Sequence, residues 1–303
     1  MTRSAALPLG VRTSSTLVLA SVIGILAFSW PLILRPGSLI EHNAAAPVLL
    51  GAVVLSVILV VLVDIGGGGV DARAVALLGV LAAVGAVLRP LSAGSAGIEL
   101  VFLFIVLGGR VFGPGFGFVV GATTLFVSAV FTGGLGPWLP FQMLAASWLG
   151  MGAGLLPRRV RGGLELLVLA VYAALGGFLY GQVMNLSFWP FSTGEHTALS
   201  FVAGAPLADN LRRFVLFSLA SSLGWDLMRA LTLGIGVAIL GVPVLRALRR
   251  SARKASFVSP APAVSDPSAG GKSPGRRRRG KPESQEGAAS AANLHAPTQN
   301  PNM

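Results

Sequence analysis

The chain has 303 residues, 53% of them hydrophobic and only 11% charged, with a mean hydropathy of +0.77 and a formal net charge of +12. A water-soluble domain of this length needs far more polar surface, so the composition points to an all-α, polytopic bundle of transmembrane helices. The absence of cysteine excludes disulfides and thiolate metal sites, and His42, His196 and His295 are too scattered to suggest a zinc site.

A helix crossing the hydrocarbon slab takes about 20 apolar residues, and the sequence offers eight candidate crossings. The first runs from Thr16 to Leu34 after Arg3 and Arg12; its apolar run is too long for a signal-peptide core and reads as a retained span. Pro47 to Val63 forms the second, and Asp64 with the four glycines Gly66 to Gly69 ends it. Ala72 to Leu88 is the third, stopped at Arg89-Pro90. The fourth, Ile98 to Gly108, is short, so it either includes the preceding Ser92 to Gly97 loop or is a shallow or re-entrant piece. Phe112-Gly113-Pro114 opens the fifth, which runs to Phe131; Leu139 to Leu156 is the sixth, closed by Pro157-Arg158-Arg159; Leu164 to Leu186 is the seventh. The last lies within Leu211 to Leu245, too long for one perpendicular crossing, so part of it is expected to tilt or to lie outside the membrane.

Charge orients this bundle. A cytoplasmic N-terminus places Arg3, Arg12, Arg73, Arg110, Arg158, Arg159, Arg161 and the Arg246 to Lys254 cluster inside, leaving only Arg35, Arg89, Arg212 and Arg213 outside. Both termini are then cytoplasmic, and the adjacent Arg212 and Arg213 stand out as a mark of an external mouth. Residues 246–303 carry 11 Lys plus Arg against 3 Asp plus Glu, a net +8 of the total +12. Their Ala, Pro, Ser and Gly content predicts a disordered basic tail, read as a solvated cytoplasmic extension. Within it, Arg276 to Arg279 suit anionic lipid headgroups better than specific nucleic-acid recognition.

Small residues recur at helical spacing in three spans: Ala72, Ala76, Gly79, Ala83 and Ala86; Gly113, Gly117 and Gly121; and Ala146, Gly150 and Gly154. Such stripes permit close helix contact in lipid, and for the last two the simplest reading is packing inside the bundle. Ionisable residues within apolar runs say more, because an unpaired charge there is costly. Asp226 and Arg229 stand three apart on one side of the last helix, where they neutralise one another, or one of them meets a ligand. Glu99, Gln142, Gln182 and Asn185 fall at the same outer depth, and Trp138, Trp189 and Trp225 share it, either as interfacial anchors or as pocket walls. No catalytic constellation competes: Ser, His and Asp lack a nucleophile motif, and Gly271-Lys272-Ser273 has Asp266 where a phosphate-binding loop needs its first glycine. The chain is read as no enzyme, with no catalytic cofactor or metal.

The stretch from Asp71 to about Arg250 resembles the substrate-binding (S) component of energy-coupling factor (ECF) vitamin transporters. The segments that carry the likeness are Ala72 to Pro90, Gly108-Gly109-Arg110-Val111-Phe112-Gly113-Pro114, Gly136-Pro137-Trp138 through Gly154, and Ser222-Leu223-Gly224-Trp225-Asp226 with Arg229. The resemblance implies a six-helix module over residues 71–250 that captures a vitamin or related cofactor outside the cell membrane. It also implies partners: a membrane coupling (T) subunit and two cytoplasmic ATPases. Docking on the coupling subunit would use Ala72, Ala76, Gly79 and Ala83. Residues 1–65, with two further spans, and the tail, residues 251–303, are departures from that pattern. A corrinoid such as cobalamin suits the outer aromatic and polar residues, as do smaller vitamins. A noncatalytic membrane scaffold using the same stripes is the alternative.

Overall fold

The computed structural model describes residues 10–33, 46–67, 72–92, 97–192 and 197–255, all within the first of two units, Met1–Val258. The three histidines, Arg3, Arg35 and the tail beyond Ala255, with Arg276 to Arg279, lie outside the described residues. The described chain is helical throughout: α1 (Val11–Phe28), α2 (Trp30–Ile33), α3 (Ala46–Gly67), α4 (Ala72–Ser92), α5 (Val101–Phe112), α6 (Pro114–Thr132), α7 (Leu139–Leu155), α8 (Gly163–Ser192), α9 (Leu207–Ser221) and α10 (Leu223–Ala255).

Six of these, α1, α3, α4, α6, α8 and α10, are long and apolar enough to cross a membrane. The other two expected spans are α5 and α7. At 12 residues α5 is only about 18 Å long, well short of the hydrocarbon slab. It persists because protein encloses it: Phe102, Leu103, Ile105, Val106 and Leu107 are all buried. The final stretch breaks at Ser222, whose backbone leaves the helical region. The break separates α9, which carries Asp209, Arg212 and Arg213, from the long apolar α10.

Glycine spacing sets how the centre packs. α6 and α7 run antiparallel with their small residues face to face: Gly154 lies against Gly113 and Pro114, Gly150 against Gly117, and Ala146 against Gly121. A Cβ on Gly117 would overlap the Gly150 carbonyl, and one on Gly150 would overlap the Gly117 carbonyl. The turn from α5 into α6 needs Gly113 itself, at φ +100°, followed by Pro114 at a tolerated first helical position. α8 and α10 also run antiparallel, matching Leu166 with Gly241, Ala174 with Gly234, Gly177 with Leu233, and Gly181 with Asp226.

The N-terminal helices pack against this centre. Gly24 of α1 admits Leu144 and Trp148 of α7, and the Trp148 indole donates to Ser21 Oγ at 3.1 Å. Gly51 of α3 lies against the Pro137 carbonyl, and Trp30 donates to the Ser187 carbonyl at 2.8 Å. An Arg12–Asp64 ion pair at 3.1 Å closes the other end of α1 and α3.

Because the Gly117–Gly150 contact is backbone to backbone, Gly150→Ala cannot be relieved by a rotamer change. It is expected to cost at least the 1 to 3 kcal/mol or so typical of overpacking and to lower the midpoint of thermal unfolding in detergent. Gly79→Ala, where an added Cβ meets nothing within 4 Å, is expected to leave that midpoint unchanged or raised.

Candidate functional site

A dense polar cluster lies where the start of α10 meets the C-terminal part of α8 and the segment leading into α5. Asp226 is 2% exposed and Arg229 8%, one helical turn apart at the start of α10. Arg229 Nη1 donates to Asp226 Oδ1 at 2.6 Å, and Nη2 donates to Glu99 Oε1 at 3.0 Å. The second Asp226 oxygen accepts from Gln182 Nε2 at 2.9 Å, from Ser222 Oγ at 2.9 Å and, more weakly, from Asn185 Nδ2 at 3.5 Å. Asn185 also donates to Ser222 Oγ. The Arg229 guanidinium sits 5.4 Å from the centre of the Tyr180 ring, which packs on Phe102 at 4.5 Å.

Two glycines make the approach possible. At Gly181 any side chain would strike the Asp226 carboxylate and the Arg229 guanidinium, so only glycine lets α8 lie this close to α10. Gly97 adopts φ +94° with its Cα against the Trp225 carbonyl, which holds the start of the Gly97–Leu100 segment on α10 and delivers Glu99 to Arg229. Beside this network Arg89, near the end of α4, donates to Gln142 Oε1 of α7 at 2.8 Å. The charges of Glu99, Arg89 and Arg229 all bear on the Tyr180 phenol, so the two polar groups are neighbours.

Five residues singled out in the sequence therefore share one network: Glu99, Gln182, Asn185, Asp226 and Arg229. Gln142 joins Arg89 instead. Trp138 and Trp225 are 44% and 47% exposed, and among the described residues no hydrogen bond or ring contact links either indole to the network. One residue along a helix is a turn of about 100°, which takes Trp225 away from the buried side that Asp226 occupies. Trp189, expected at the outer interface, is instead fully buried: it donates to the Leu199 carbonyl at 2.7 Å inside a cage of Phe201, Phe214 and Phe217. Arg212 and Arg213 line a groove of about 180 Å³ with Asp209 and Ala198. A larger groove, about 310 Å³, runs between α8 and α10 along Ala170, Ala174, Leu227, Leu231 and Gly234, and it lacks the polar groups that would orient a ligand.

On α4 the residues Ala72, Ala76, Gly79 and Ala83 all lie on the exposed face. Ala86, the fifth member of the expected stripe, is buried, on the side where Ala74, Leu81, Ala82 and Gly85 meet the bundle. Gly85 admits the Thr124 methyl of α6.

Sequence reasoning missed a second network at the opposite end. Glu165, 4% exposed in the first turn of α8, accepts from Arg110 Nε at 2.7 Å and from Arg249 Nη2 at 2.6 Å. Arg110 also donates to the carbonyls of Leu156, Pro157 and Val160, tying the α7–α8 connection to α5. The signal was available, since Glu165 is the lone acid within a run holding Arg158, Arg159 and Arg161. Ser222 was equally readable, one helical turn before Asp226. Among the described residues no three His, Asp or Glu side chains gather as a metal site requires.

Asp226 is the hub, because four donors converge on it. Asp226→Ala would leave Arg229 with Glu99 alone, strip Gln182 of its acceptor and leave Ser222 only its longer bond to the Ser218 carbonyl. The expected loss is about 3 to 5 kcal/mol, typical of breaking a buried ion pair, read as a lower thermal midpoint. Asp226→Asn, which keeps the shape and one acceptor oxygen, is expected to lose less.

A family model described as "ECF transporter, substrate-specific component" matches residues 73–245. No curated protein and no solved structure gives a match. The matched region begins in α4 and ends in α10, leaves α1 to α3 before it, and contains every residue of the polar network. With more than half of its length matched, the chain belongs to the family of substrate-specific components of ECF transporters, the non-catalytic, multi-pass membrane subunits that bind the transported small molecule.

Proposed function

We propose that the chain captures a vitamin or related cofactor on the outer side of the cell membrane and delivers it to an ATP-driven importer. The observation that carries this reading is the network of Glu99, Gln182, Asn185, Ser222, Asp226 and Arg229, gathered where α8, α10 and the segment before α5 meet at one end of the bundle. Ionisable groups at membrane depth mark ligand or ion paths because their burial is costly without a use. Gln142, Trp138 and Trp225 are further candidate contacts in this reading. Both a corrinoid and smaller vitamins suit this mixture of polar groups and rings.

The topology behind this reading has eight crossings, counting the short α5 and α7, with both termini cytoplasmic. Arg110, Arg158, Arg159, Arg161, Arg246, Arg249 and Arg250 then share the cytoplasmic end, as the positive-inside bias favours. In this reading residues 1–65 add two transmembrane spans, residues 71–250 are the capture module, and residues 251–303 are a cytoplasmic tail whose Arg276 to Arg279 suit anionic lipid. Reporter fusions after Arg35, Arg89 and Glu195 are expected to read external, and fusions after Arg73, Arg159 and Arg250 cytoplasmic. An external signal at Arg159 or an internal one at Glu195 would overturn this orientation.

The partners in this reading are a membrane coupling (T) subunit and two cytoplasmic ATPases, with Ala72, Ala76, Gly79 and Ala83 as the docking stripe. Its support is exposure: the four small residues face outward, where bulk can be added without straining the bundle. Close helix approach in lipid depends on such residues. The combined Ala76→Leu and Ala83→Leu protein is expected to insert, stay monodisperse and bind its vitamin normally, yet fail to co-purify with the coupling subunit and fail to import. Normal complex yield with normal uptake would remove docking from this stripe.

A further inference from the structure

We infer that the ligand of this site carries an amide-type edge, an N–H beside a carbonyl as in a cyclic imide or ureide, read by Glu99 and Arg229 together. This rests on the capture reading above and concerns which chemistry the network leaves open.

Most of the network is already occupied. Asp226 Oδ1 is taken by Arg229 Nη1, and Oδ2 by Gln182, Ser222 and Asn185, so Asp226 has little acceptor capacity left for a ligand. Its place is that of a positioning residue, holding Arg229 in a fixed orientation. Two groups are only half used. Glu99 makes one hydrogen bond among the described residues, through Oε1 to Arg229 Nη2, and its side chain keeps 30% of its surface exposed. Arg229 uses both terminal nitrogens, but its Nε–H is buried with no acceptor.

A guanidinium presents its donors as a planar fork, and an edge made by Nε and one Nη accepts a two-pronged partner. Here Glu99 fills only the Nη2 prong. The site therefore combines an accessible acceptor, the second Glu99 oxygen, with an unmet donor, Arg229 Nε–H. A neutral edge carrying a donor and an acceptor side by side answers both at once. A bare carboxylate answers only Nε and leaves the second Glu99 oxygen without a donor. A bare cation answers only Glu99 and leaves the buried Nε–H unmet.

The experiment measures binding to the full chain in lipid nanodiscs by titration calorimetry, with thermal unfolding of the same preparation. The probes are riboflavin and biotin, which carry imide and ureide edges, their N-methylated forms, and cobalamin, thiamine, nicotinate and choline. The expected result is binding of riboflavin or biotin, weakened about tenfold or more by N-methylation of that edge, as the loss of a hydrogen bond to a charged group implies. Glu99→Ala should weaken the same ligand by a similar factor and, by taking one partner from buried Arg229, lower the thermal midpoint of the ligand-free protein, whereas Glu99→Gln, which keeps an acceptor oxygen, should weaken the ligand by less and hold that midpoint closer to the parent's. Binding of neither riboflavin nor biotin, or binding indifferent to N-methylation, overturns the inference. If cobalamin, thiamine or nicotinate binds instead, the capture reading stands and the amide-edge assignment falls. If nothing in the panel binds, both fall.

Discussion

A charged side chain inside a bilayer has no water to turn to, so every donor and acceptor it carries must be met by the protein around it. This chain meets that constraint twice along one helix pair. At one end of α8 and α10, Arg229 is held between Asp226 and Glu99; at the other, Glu165 is held between Arg110 and Arg249. Each network reaches beyond the pair, to the start of α5 through Glu99 and to its end through Arg110. The register of α5, α8 and α10 is thus pinned at both ends by bonds that allow little slippage, because a shift of one residue would leave charges unpaired in a low-dielectric interior.

Between these pins the bundle is held by contact rather than by exclusion from water. Lipid tails are as apolar as leucine, so helices associate through close packing, and backbones must approach closely for it to be worth anything. Glycine permits that approach wherever the structure is tightest: Gly117 against Gly150, Gly154 against Pro114, and Gly181 against Asp226. The same economy explains why α5 can be so short. Enclosed by α6, α7, α8 and α10, it need not match the slab, and its ends lie where the two polar networks begin.

Membership in the substrate-specific family gives these two regions different meanings. The Glu165 network ties the α7–α8 connection to α5 and α10, which suits architecture. The Arg229 network is uneven, with Asp226 crowded by donors while Glu99 and Arg229 Nε keep capacity in reserve. α4 carries Arg89, bonded to Gln142 of α7, near one end and turns Ala72, Ala76, Gly79 and Ala83 outward.

Several of these features were legible in the sequence alone. Apolar run lengths located nearly every helix, since hydrocarbon thickness imposes a length that composition must honour. The rarity of charge in those runs drew notice to Asp226, Arg229 and Glu99, and helical spacing paired the first two. The facing stripes of α6 and α7 were readable as packing surfaces, though which glycine meets which was not. Tertiary structure alone decided the rest. Trp189 looks like an interfacial anchor until α9 and the chain before it close a cage around its ring, a contact made by residues 10 to 28 positions away. Glu165 looks like one more surface charge until Arg110 and Arg249, 55 and 84 residues distant, reach it. Spacing along a chain reports neighbours on one helix, whereas the partner of a buried charge is set by how different helices pack, and that information is carried by no single segment.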